Sequence, residues 1–72
     1  MAPLISISDP RLLHDLIDSF LKNDCVAHAV GMRLCQVIHV QADDPEQARV
    51  ELTFFLRSWQ LGHPGVTAEL HA

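Results

Sequence analysis

Residues 25–41 read CVAHAVGMRLCQVIHVQ, and their side chains fall into two alternating sets on either side of a Gly-Met pair. A period of two residues is typical of a β-strand whose two faces have different surroundings. A Gly-X pair favours a two-residue type II′ turn, in which Val30 faces Arg33. The stretch therefore predicts a β-hairpin with strands at 25–30 and 34–42.

This register assigns every side chain of the hairpin to one of two faces of a sheet. The face expected to lie under helices carries Cys25, Ala27, Ala29, Leu34, Ile38 and Val40, interrupted by Gln36. The opposite, open face carries Val26, His28, Val30, Arg33, Cys35, Val37, His39 and Gln41.

Helical periodicity marks residues 9–23 and 44–61, where apolar side chains recur three and four positions apart. Ser8 or Asp9, just before Pro10, is expected to cap the start of the first helix, and Asp44, before Pro45, the start of the second. Asn23 is expected to end the first helix in the left-handed conformation. Both helices thus have a predicted beginning and end.

Two further segments, 4–8 and 66–71, read as strands, and His-Pro-Gly at 63–65 predicts a type II turn with positive φ at Gly65. The order is then β-α-β-β-α-β. This order predicts one α+β domain over residues 1–72, a ferredoxin-like two-layer sandwich with a four-stranded antiparallel sheet and both helices on one face. We expect the first and third strands at the centre, running parallel.

Composition excludes several classes of function. The chain has 72 residues, a net charge of -4 and only 5 lysine and arginine residues, which are scattered, so neither nucleic acid nor an anionic membrane is an expected partner. No signal peptide or apolar run of about 20 residues is visible, and the two cysteines do not make a disulfide framework. We expect a cytoplasmic protein.

Five histidines and two cysteines raise the question of a metal site, but no ligand pair has the spacing of a zinc or copper motif. We predict no metal, no cofactor and no catalytic residues. The predicted register brings His28 opposite Cys35, with His39 on the same face, which makes these three a weak candidate ligand site. The register also forbids a bond between Cys25 and Cys35, and a three-residue loop would leave them about 13 Å apart on one face.

Exposed apolar residues are the most informative feature for function. Three of them point away from the packing stripe of the second helix: Val50, Phe54 and Leu61. The predicted open sheet face adds Val26, Val30 and Val37. We therefore expect a non-enzymatic binding or regulatory module that self-associates through the helix ridge or the open face. The alternatives are a small-molecule or transition-metal binding protein that uses His28, Cys35 and His39, and an accessory subunit that docks a larger protein.

Overall fold

A computed structural model describes residues 3–40 and 44–71 of the chain. The strands are β1 (Leu4–Ile7), β2 (Cys25–Gly31), β3 (Leu34–His39) and β4 (Ala68–His71). The helices are α1 (Leu13–Leu21), which follows a 3-10 turn at Pro10–Leu12, and α2 (Pro45–Leu61). The α+β class, the four-stranded antiparallel sheet and the two helices are confirmed.

The strands lie in the order β2-β3-β1-β4, and all neighbouring pairs are antiparallel. β1 and β3 are the two central strands, but the prediction that they run parallel is wrong. The connection through α1 returns the chain in the direction of β1, so that β2 is parallel to β1. The hairpin then reverses the chain, which makes β3 antiparallel to its neighbour β1.

The register of the β2–β3 hairpin differs by one residue from the predicted one. Cys25 lies opposite His39 and Ala29 opposite Cys35, and a shift between Ala29 and Gly31 then brings Gly31 opposite Leu34. Gly31 does not have a positive φ, so the predicted II′ turn at Gly31-Met32 is wrong. The irregularity adds one residue to the β2 side, which moves the turn to residues 32–33.

The one-residue change exchanges the two faces of β3, because successive side chains of a strand point in opposite directions. Cys35 and Val37, predicted on the open face, are completely buried, whereas Ile38, predicted inside, is 49% exposed. The assignment of β2 was correct at Cys25 and Ala27, which are both buried. The sheet therefore buries the expected side chains of β2 at Cys25 and Ala27 but the opposite face of β3 from the one predicted.

The ends of the helices follow the sequence signals, with exceptions at α1. Asp9 accepts a hydrogen bond from the amide of Arg11, and Asp44 accepts one from the amide of Gln47 at 2.7 Å. The Asp44 cap is confirmed. Of the two candidates at the first helix, Asp9 is the cap, but of the 3-10 turn: Leu12, which precedes α1, makes no side-chain capping bond. At the end of α1 the left-handed residue is Asp24, with φ of 62°, instead of Asn23.

The buried face of the sheet and both helices share one apolar cluster. Its sheet residues are Ile5, Ile7, Cys25, Ala27, Cys35, Val37 and Ala68, and its helix residues are Leu13, Leu16, Ile17, Phe20, Leu52, Leu56 and Trp59. Phe20 of α1 stacks on Phe55 of α2 with ring centroids 4.5 Å apart. The predicted type II turn before β4 is confirmed, since Gly65 has φ of 89° and the amide of Val66 donates to the carbonyl of His63.

Candidate functional site

A groove of about 650 Å³ lies at the end of the sheet where β2 begins and β3 ends. Its polar side chains are those of Asn23, Cys25, His39, Glu51 and Ser58, and its apolar side chains are those of Val50, Leu52, Phe54 and Phe55. The groove thus joins part of the exposed ridge of α2 to the inner-face residues Cys25 and His39.

His39 occupies the groove because of the register of β3. It is on the same face as Val37, and it lies opposite Cys25. Its Nε2 atom is 2.7 Å from Oε2 of Glu51 on α2, and only 13% of its side chain is exposed. This contact links the end of the sheet to α2.

Both thiols are poor nucleophiles in this arrangement. Burial raises the pKa of the Cys25 thiol, and the negative charges of Asp24 and Glu51 raise it further. Burial alone raises the pKa of Cys35 to about 11. Because the thiolate is the reactive form, thiols that stay protonated at neutral pH are inert. The two cysteines are free.

The structure does not bring together the three residues of the predicted ligand site. His28 is on the open face opposite Gln36, while Cys35 is buried under the helices and His39 is on the inner face. The prediction was wrong because the predicted register placed Cys35 and His39 on the open face of β3, whereas both lie on its inner face. Sequence reasoning missed Glu51 and Cys25 as neighbours of His39, because no spacing in the sequence indicates that α2 passes beside the end of β3.

The open face of the β2–β3 hairpin alternates between apolar and polar side chains: the apolar residues Val26 and Ile38 lie on one side of the polar pair His28 and Gln36, and Val30 and Leu34 lie on the other. Val26 lies opposite Ile38, and each is about half exposed. Towards β4 the face is polar, where Ser6 Oγ is 2.8 Å from Nε2 of His71. We define the apolar side chains of the hairpin on this face as the sheet patch: Val26, Val30, Leu34 and Ile38. Of the predicted open-face contacts, Val26 and Val30 are exposed, whereas Val37 is in the core.

The ridge of α2 is exposed as the helical periodicity predicts. Val50, Phe54 and Leu61 retain 64%, 72% and 86% of their exposure, respectively. Two of these three, Val50 and Phe54, are also lining residues of the groove.

A cluster of polar side chains connects α1 to the C-terminal end of α2. The Trp59 indole donates to Oδ2 of Asp15 at 3.2 Å, and His63 Nε2 is 3.1 Å from the same oxygen. The His63 ring stacks on Trp59 with ring centroids 4.0 Å apart, and its Nδ1 is 2.8 Å from the Trp59 carbonyl oxygen. These groups bond to one another, so we interpret the cluster as a structural link.

Two classes of site receive no support from the residues that the structure describes. Within 3–40 and 44–71, no three side chains of the histidine, cysteine, aspartate or glutamate type are placed to hold a metal ion. In the same part of the chain, neither helix has the length and apolar content needed to cross a bilayer.

Comparison of the chain with protein-family models, with curated proteins and with solved structures found no match. The groove and the exposed apolar surfaces are the features of the described residues that bear on function.

Proposed function

We propose that the protein is a non-enzymatic module that forms a homodimer through the open face of its sheet. The observation that carries this proposal is the sheet patch, in which the directly opposed side chains of Val26 and Ile38 are both half exposed. The apolar surface of an exposed cross-strand pair of β-branched residues stays in contact with water, which is unfavourable, unless a second surface covers it.

A second copy of the chain is the occupant that the patch fits best. In a twofold dimer the same patch meets itself, so the patch must be free of charges that would repel their own copies. Val26, Val30, Leu34 and Ile38 carry no charge, and the pair that lies between them, His28 and Gln36, is polar. The β4 side of the face, with Glu69 and His71, would then lie at the rim, where water is present.

The size of the chain supports self-association for an independent reason. A core in a chain of 72 residues usually contributes no more than about 3 to 5 kcal/mol of net stability. Covering the sheet patch adds apolar burial that a single copy cannot supply. As part of the same proposal, the chain is one ferredoxin-like domain in the cytoplasm, with no nucleic acid partner.

The absence of catalysis is also part of the proposal. Its support is the chemistry of the thiols: Cys35 is buried with a pKa of about 11, and Cys25 is held in its protonated form by burial and by neighbouring carboxylates. Neither thiol is positioned with the exposure and lowered pKa of a catalytic cysteine.

The experiment is light scattering coupled to size-exclusion chromatography on three proteins. We expect the parent and Phe54→Glu to have the mass of a dimer, and Ile38→Glu to have the mass of a monomer. Phe54→Glu is the matched control because it places the same charge on the ridge of α2. A monomeric parent, or a dimeric Ile38→Glu beside a monomeric Phe54→Glu, contradicts the sheet interface.

A further inference from the structure

The groove beside α2 is on the other side of the sheet from the sheet patch. Its inner-face residues, Cys25 and His39, point towards the helices, whereas Val26 and Ile38 point away from them. A ligand in the groove and a second copy on the open face therefore do not compete. Binding in the groove is thus independent of self-association.

The apolar side of the groove is aromatic. Phe54 and Phe55 are consecutive residues of α2, and both line the groove. Phe55 is fixed by its stack on Phe20, while the Phe54 side chain is mostly exposed. A flat apolar body lying in the groove would cover part of Phe54, which is the most exposed aromatic ring of α2, and would remove that part from water.

Among the described residues that line the groove, Glu51 carries the one carboxylate, and His39 is in contact with it. None of the described residues that line the groove is a lysine or an arginine. One oxygen of the Glu51 carboxylate contacts His39, and the Glu51 side chain is 45% exposed. A carboxylate can accept hydrogen bonds from more than one donor. Negative charge also acts at the floor, where the pKa of Cys25 is raised by Asp24 and Glu51 in addition to burial. A positive group placed beside the exposed part of the Glu51 carboxylate is attracted, and an anion in the same place is repelled.

We propose that this groove binds a small organic cation, an amine with a flat apolar body, whose ammonium group is held by Glu51 and whose body packs on Phe54 and Phe55. The ammonium group gains a charge-assisted hydrogen bond to the carboxylate. The faces of the phenylalanine rings add a favourable interaction with the cation.

The test is an NMR titration at neutral pH with three probes of similar size: 2-phenylethylammonium, 2-phenylethanol and 3-phenylpropionate. We expect saturable shifts of the amides of Cys25, Glu51 and Ser58, and at least about tenfold tighter binding of the cation than of the anion. The neutral alcohol should bind between them.

Two pairs of matched variants test the roles of the Glu51 charge and of the Phe54 ring. Glu51→Gln should reduce the affinity for the cation to that for the alcohol, whereas Glu46→Gln, on the same helix but outside the groove, should change nothing. Phe54→Ala should weaken all three probes, and Leu61→Ala should weaken none. Equal binding of cation and anion, equal effects of the two glutamate variants, or no saturable shift with the cation overturns the proposal.

Discussion

Ala29 lies opposite Cys35 across the β2–β3 ladder, and this pairing places the Cys35 side chain among the buried residues. The next inner-face residues along β3 are Val37, which is buried, and His39, which reaches Glu51. A pairing one residue away would place all three in water. The core, the groove and the sheet patch therefore depend on the same register.

The register can be tested by placing one charge on either side of β3. Val37→Glu should unfold the protein, because an unpaired charge in the core costs several kcal/mol, which is about the whole stability of a domain of this size. Ile38→Glu should keep the native circular dichroism at low concentration, since Ile38 is half exposed. The reverse outcome, a folded Val37→Glu and an unfolded Ile38→Glu, would restore the register with Val30 opposite Arg33.

Local signals predicted the elements of this fold well. Proline after an aspartate marked the start of each helical segment, and the Pro-Gly pair marked the turn before β4. These features are set by neighbouring residues, so the sequence contains the whole of the information needed. The apolar stripe of α2 was predictable for the same reason.

The register of the hairpin was not predictable in this way. Both sets of side chains in β3 contain apolar residues, with Cys35 and Val37 in one set and Leu34 and Ile38 in the other, so alternation does not decide which set is buried. The irregularity between Ala29 and Gly31 decided it, and the glycine at this position is equally compatible with a tight turn and with a bulge. The groove was missed because Glu51 and His39 meet only through tertiary packing.

The two turn glycines should respond differently to the same substitution. Gly65→Ala should lower the free energy of unfolding by about 1 to 2 kcal/mol, because φ of 89° is strained for a residue with a Cβ atom. Gly31→Ala should be neutral or slightly stabilising, because Gly31 has no positive φ and the new Cβ would lie 3.6 Å from Leu34 Cβ, an ordinary contact. Urea unfolding measures both. A larger loss for Gly31→Ala would indicate a II′ turn at Gly31.

The contribution of the hydrogen bond between Asp15 of α1 and Trp59 of α2 can be measured by substitution of Asp15. Asp15→Ala removes the acceptor of the Trp59 indole, so we expect a loss of about 1 kcal/mol and easier quenching of the single tryptophan by acrylamide. Asp18→Ala removes the same charge from the same helix and serves as the control, with no expected change in quenching. Equal quenching in the two variants would mean that Asp15 does not hold Trp59.

The Cys35 thiol makes the stability of the fold depend on pH in the alkaline range. Burial raises its pKa from 9.0 to about 11, so between these values the unfolded thiol ionises while the native thiol keeps its proton. The native state then binds more protons, and stability must fall as the pH rises from about 9 to 11. Below about pH 9 the Cys35 thiol is protonated in both states, so its contribution to stability is fully present.

Urea unfolding of the parent and of Cys35→Ala at several pH values isolates this effect, because all other titrating groups are shared. We expect Cys35→Ala to be less stable at pH 8, where it leaves a cavity, but to lose less stability on going to pH 11, by the order of 2 kcal/mol. Cys25→Ala should change the slope less, because Cys25 retains some exposure whereas Cys35 is completely buried. Parallel stability curves for the parent and Cys35→Ala would show that the thiol ionises as readily in the native protein as in the unfolded chain, which a fully buried side chain opposite Ala29 does not allow.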